Sequence, residues 1–119
     1  AGEAPHAYRS MLAGGVNVAL GTDSILCLDT PDRISTLDEM RLLRRRDGTD
    51  PVTLLAMATI HGARALGFDE GLVEFSPGPM LGVLAVDGAG DDPLDAALRG
   101  NAPPRWVAGP FPCPPDALR

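Results

Sequence analysis

Twice in this chain an aspartate stands before a proline at the head of an apolar stretch, Asp50-Pro51 and Asp92-Pro93, and these pairs fix where helices begin. An aspartate just outside a helix accepts from the orphan amides of its first turn, and a proline at the first helical position forfeits no hydrogen bond. The first pair predicts a helix running through "VTLLAMATIHGARAL" to Gly67. Leu54, Leu55, Ala58, Ala65 and Leu66 then form its buried side, while Gly62 and Ala63 permit close approach of another element. The second pair predicts a short helix over "DPLDAALRG". Pro31 fits the first turn of a further helix capped by Thr30 or Asp29, with Ile34, Leu37, Met40 and Leu43 or Leu42 on one face and Gly48 as its stop. If that helix begins later, Thr36 and Glu39 can form a capping box.

Between these signals the remaining elements follow. Residues 5–13, "PHAYRSMLA", carry Pro5 at a plausible first helical position and Tyr8, Met11 and Leu12 at helical spacing, before Gly14 and Gly15 end the run. Val16, Val18 and Leu20 then alternate with Asn17 and Ala19 in a short buried strand that runs into a polar tripeptide, Thr22-Asp23-Ser24. From Gly71, two apolar runs flank Ser76-Pro77-Gly78-Pro79, which predicts a β-hairpin of Leu72 to Phe75 against Met80 to Val86. "RWVAG" reads as a last strand. The order is helix, strand, helix, helix, hairpin, helix, strand, an α/β pattern without internal repeats.

Composition narrows the classes of function. Of 119 residues, 45% are hydrophobic, enough for a single core, and the formal charge of −6 argues against a nucleic-acid surface. The one basic cluster, Arg44-Arg45-Arg46, falls at a helix end, where positive charge complements the macrodipole. Cys27 and Cys113 lack CxxC spacing and neighbouring histidines, so reduced thiols in a cytoplasmic protein are expected. No apolar run approaches the roughly 20 residues that span a bilayer. The chain opens on Ala1 and closes on "GPFPCPPDALR", and the expectation is a piece of a longer polypeptide.

On local grounds alone, Asp23 suits an Asx turn or helix cap after a strand. The wider pattern reverses that reading. "GVNVALGTDS", "STLDEMRLL", "TLLAMATIHGARALGF" and the Gly-containing turn that follows, in this order, resemble the C-terminal third of the amidohydrolase superfamily, specifically its cytosine deaminase, guanine deaminase and chlorohydrolase-like branch. The similarity covers about residues 5–100.

The resemblance implies the last strand and helices of a (β/α)8 TIM barrel over residues 1–68, and the returning part of a small composite β-sandwich, with a tail, over 69–119. Val16 to Gly21 becomes barrel strand eight, with Asp23 at its mouth, where catalytic residues of such barrels gather. The resemblance makes Asp23 a ligand of a divalent metal, zinc or iron, and the group that takes a proton from the attacking water and hands it to the leaving nitrogen. Thr22 and Ser24 would shape and hydrogen-bond the loop around it.

The family's remaining ligands are a His-x-His pair and two further histidines, and no such pattern occurs here. A zinc site needs about three protein ligands plus water. His6 precedes the helix leading into strand eight, and His61 is expected to cap or pack between helices. Glu39 is read as a partner of Arg41 and Arg45 or a cap, Asp87 as a turn residue, and Leu81-Gly82 as replacing the family's usual Ala-Asp in the sandwich strand.

The implied activity is hydrolysis of a carbon–nitrogen bond outside peptides, as deamination of a heterocyclic amine, on a small-molecule substrate, with amide hydrolysis or loss of chloride open alongside it. The isolated chain is expected to be inactive and prone to aggregate through the unpaired edges of strand eight. Relatives of this kind are often dimers, so a homodimer is open to the full-length enzyme. The rival expectation is a non-catalytic binding or structural α/β domain in which Asp23 is only a cap.

Overall fold

The computed structural model describes residues 6–22 and 35–108. These form five helices and one two-stranded sheet: α1 (Tyr8–Ala13), α2 (Thr36–Asp47), α3 (Pro51–Ala58), α4 (Ile60–Leu66), β1 (Val83–Ala85), α5 (Pro93–Arg99) and β2 (Arg105–Ala108), with a 3-10 turn at Glu70–Val73. The class is α/β, as the sequence predicts. Tyr8, Met40, Leu54, Met57 and Leu98 make the core, so α1, α2, α3 and α5 meet around one apolar centre.

The aspartate-proline caps and the glycine stops read from the sequence hold where they fall on described residues. Asp50 accepts from the Thr53 amide at 3.0 Å and Asp92 from the Asp95 amide at 3.1 Å, each with proline next in line. Gly48 (φ 66°) and Gly67 (φ 75°) end α2 and α4 in the left-handed conformation. The cap expected at Thr30 or Asp29 lies outside the described residues, as do Pro5, Ile34, Cys27 and Cys113. At the start of α2 the capping box of Thr36 and Glu39 does not form. Ser35 is the cap, accepting from the Leu37 amide at 3.2 Å, because a capping hydroxyl must stand just outside the helix and Thr36 is already its first residue.

The helix expected to run unbroken from Pro51 to Leu66 is interrupted at Thr59 (φ −124°, ψ −89°). The Thr59 hydroxyl donates to the Leu55 carbonyl at 2.7 Å, and its amide turns to Ala56 at 3.2 Å. Side chain and backbone thus compete for one acceptor, and the β-branched residue bends the chain. The buried side changes with it. Leu54 and Met57 are buried, whereas Leu55, Ala65 and Leu66 are exposed; the close approach is made at Ala63, since a Cβ at Gly62 would meet no described atom within 4 Å.

The hairpin is the largest correction. Asp69 accepts from the Gly71 amide at 2.8 Å and winds Glu70–Val73 into the 3-10 turn, leaving a single backbone bond, Leu81 to the Leu72 carbonyl at 2.9 Å. β1 pairs antiparallel with β2 instead, in the register Leu84↔Trp106 and Ala85↔Arg105, with an irregularity between Val83 and Leu84. Pro77 and Pro79 bring no amide donors to the expected hairpin, while β2 has a free run of them. A Cβ at Gly82 would lie 2.7 Å from Cζ3 of Trp106, so the glycine that replaces the family's usual acid lets the indole close on the backbone. The exposed Asp87 accepts from Arg105 at 3.0 Å and ties the two strands at the Ala85↔Arg105 end of the ladder.

Two polar ties hold the helices. Arg41 is 2% exposed, and its guanidinium donates to the Ala97 carbonyl through Nε (3.1 Å) and Nη2 (3.0 Å), to the Ala102 carbonyl at 2.9 Å, and to Asp38 at 3.4 Å. The ion pair is with Asp38, three residues away and on the same face of the helix. Arg44 reaches Asp95 on α5 at 2.9 Å and the Gly48 carbonyl at 3.0 Å, so part of the basic cluster serves the helix end and part joins two helices.

The second tie fixes α1. The Tyr8 hydroxyl donates to Asp47 Oδ2 at 2.7 Å and shares a hydrogen bond with the Thr49 hydroxyl. Arg46 and Tyr8 together hold the Asp47 carboxyl well below the usual carboxylate range, and burial pushes the Tyr8 phenol up. A depressed carboxyl contributes stability that is present above its unfolded value and lost as pH falls toward the folded one. The urea midpoint is therefore expected to fall below about pH 4, and to fall less steeply in Asp47→Asn. Tyr8→Phe, which removes a hydrogen bond to a charged acceptor, should cost about 1.5–3 kcal/mol at pH 7 by urea denaturation.

Candidate functional site

α1 ends as the Gly14 amide meets the Ser10 carbonyl at 3.0 Å and Gly15 turns left-handed (φ 82°), which launches residues 16–22 across the helices. This is the stretch read as a strand. Among the described residues it joins no β-ladder, because a strand needs a neighbour and the helices take that place. The Leu20 amide donates to the Met57 carbonyl at 3.0 Å, the Asn17 side chain donates to the His61 carbonyl at 3.0 Å, and His61 Nδ1 bonds the Val18 carbonyl at 2.9 Å. Val18 and Leu20 pack against the core. The Leu20 amide and the Val18 carbonyl are thus both taken by the helical residues Met57 and His61.

Thr22, half-buried, closes the described part of the segment; Asp23 and Ser24 lie outside the described residues. His61, expected to cap or pack between helices, instead joins α4 to the extended segment at Asn17 and Val18. His6 accepts the Tyr8 amide on Nδ1 at 3.2 Å, with its ring 6.1 Å from that of Tyr8, and so belongs to the start of α1. Among the described residues no three His, Cys, Asp or Glu side chains stand together in a way that would hold a metal ion. The described residues therefore do not make the metal centre that the resemblance implies, and its donor set is not assembled from them.

Two concavities flank the segment and the core. One of about 220 Å³ is bordered by Leu12, Gly15, Val16, Asn17, His61 and Arg64, the last paired with Glu70. An apolar groove of about 590 Å³ runs between α2, α3, α5 and residues 72–86, lined by Leu37, Met40, Leu55, Leu72 and Val83 among others. Glu74 is the one ionisable residue on its described wall, so the groove offers apolar surface and no acid–base pair. No described helix is long and apolar enough to cross a membrane.

The sequence reading missed the Asn17–His61 exchange, the Tyr8 network and the burial of Arg41. Only Asn17 left a trace beforehand, as the lone carboxamide within an apolar alternation. The other two depend on partners tens of residues away.

Comparison with known proteins bears on the same segment. Residues 3–111 match the amidohydrolase family. Over 82 residues the chain is 37% identical to a 5'-deoxyadenosine deaminase of Methanothermobacter thermautotrophicus, covering 65% of this chain and 19% of that protein. It is 36% identical over 78 residues to a 5-methylthioadenosine/S-adenosylhomocysteine deaminase of Teredinibacter turnerae, covering 61% and 18% respectively. An S-triazine hydrolase of Gordonia rubripertincta is 34% identical over 92 residues, covering 73% and 19%. The chain thus spans about a fifth of the length of these curated relatives. No solved structure matches it. With the match running through nearly its whole length, the chain belongs to the amidohydrolase family.

Proposed function

We propose that this chain is the C-terminal portion of a metal-dependent amidohydrolase that removes an amino group from a nitrogen heterocycle. The observation that carries the reading is the likeness to relatives named as deaminases of adenosine derivatives and as a triazine hydrolase, two kinds of nitrogen heterocycle. Residues 1–68 contribute the end of a barrel and residues 69–119 the returning part of a β-sandwich with its tail.

Asp23 is the working carboxylate. It takes the proton of the attacking water and passes it to the departing nitrogen, with Thr22 and Ser24 orienting its loop. When bound, a divalent ion, zinc or iron, lowers the pKa of water from 15.7 toward about 7, so a carboxylate is a sufficient base. The other ligands and the substrate pocket come from the rest of the polypeptide, and the chain alone is inactive.

The test is ammonia release from amino-purines and amino-triazines by the full-length polypeptide and by this chain, alongside metal analysis of both. The expected result is about one divalent ion per full-length subunit with turnover, and neither in the chain. A full-length polypeptide that binds no metal and releases no ammonia would overturn the reading.

A further inference from the structure

We infer that His61 is a positioning residue that holds the segment leading to Asp23, through a reciprocal exchange in which His61 Nδ1 donates to the Val18 carbonyl and the His61 carbonyl accepts from Asn17. The inference rests on the proposed function, because the group being positioned is the carboxylate assigned there.

The Val18 carbonyl can only accept, so at 2.9 Å the proton of the contact belongs to Nδ1. The two bonds join neighbouring residues, 17 and 18, to a single residue of α4, so the segment can neither slide along the helix nor rotate without breaking one of them. A third bond follows from the break at Thr59. In an unbroken helix the Met57 carbonyl would accept from the amide of residue 61. Here it accepts from Leu20 at 3.0 Å. The hydroxyl of Thr59 and the imidazole of His61 thus act together: one opens the helix, and the other fastens the opened turn to the segment. Leu20 is three residues before Asp23 in sequence, so only Gly21 and Thr22 separate the last fastened residue from the assigned carboxylate. Misplacement of a catalytic group by about 1 Å can cost about 100-fold in rate, which makes such a fastening matter.

Asparagine carries a side-chain N–H at the same number of bonds from Cβ as His Nδ1, and alanine and leucine carry none. In the full-length polypeptide, His61→Ala and His61→Leu are expected to lower kcat per bound metal about 10- to 100-fold with KM within about twofold, and His61→Asn to restore most of it. In the 119-residue chain, the Leu20 amide should exchange faster with solvent in His61→Ala but not in His61→Asn, while amides of α2 stay unchanged. Asn17→Ala, which cuts the other arm at an exposed residue, serves if His61→Ala does not fold and should show the same two effects more weakly. An unchanged kcat per bound metal in these variants, with the wild type active, would overturn the inference alone, as would unchanged exchange at Leu20. A wild type that binds no metal and releases no ammonia, or one whose turnover is unchanged by Asp23→Asn, would overturn the functional reading and this inference with it.

Discussion

Asp23→Asn in the full-length polypeptide is expected to lower kcat by about 10²- to 10⁴-fold, the range typical of a lost general acid–base group. Asparagine keeps the size of the side chain and one acceptor oxygen but cannot take up a proton at neutral pH. The substitution therefore separates proton transfer from shape. The drop should appear in kcat and in kcat/KM together, since the proton moves only on the way to the transition state. Ammonia release, normalised to bound metal measured on the same samples, is the readout. Turnover within about threefold of wild type would leave Asp23 as a turn residue and remove the proton shuttle from the proposal.

The second large effect concerns stability and needs no partner polypeptide. Arg41→Met keeps most of the buried stem and removes the guanidinium. Two carbonyls, those of Ala97 and Ala102, then lose their donor, and the largely covered Asp38 loses its ion pair. Removing one member of a buried charged cluster costs about 3–5 kcal/mol, and part of this comes from the acceptors left behind. Against a total stability of about 5–15 kcal/mol for a domain, such a loss leaves little margin. Urea denaturation followed through the indole of Trp106 and by circular dichroism should show the fall. Arg41→Lys should recover only part of it, because one ammonium cannot match the planar fork that reaches α5, the Ala102 carbonyl and Asp38 at once. A loss under about 1 kcal/mol in Arg41→Met would mean that these carbonyls find other donors.

The helix ends were legible in advance because capping acts within four residues. Asp50 with Pro51, Asp92 with Pro93, and Gly48 and Gly67 at the helix exits needed nothing from the rest of the chain. Strand pairing was not legible in this way. The SPGP turn signalled a hairpin, yet β1 found its partner some twenty residues on, because ladder bonds depend on which donors arrive in space and not on which run stands nearest in sequence. The break at Thr59 lies between these cases. Its hydroxyl acts locally, but periodicity counts only apolar positions and cannot see a side chain competing for a backbone acceptor.

For the site, the sequence by itself determined family membership and the candidate carboxylate, since ordered blocks such as "GTDS" and "HGARALG" survive as text. Only the tertiary structure decided what holds the segment before Asp23. Asn17, Val18 and Leu20 are fastened to Met57 and His61, pairs separated by about forty residues. It likewise decided that Arg41 and Tyr8 are interior polar ties and not surface groups. The physical reason is one of range: caps and turns are written in neighbouring residues, whereas burial and long-range hydrogen bonds exist only once the chain has closed on itself.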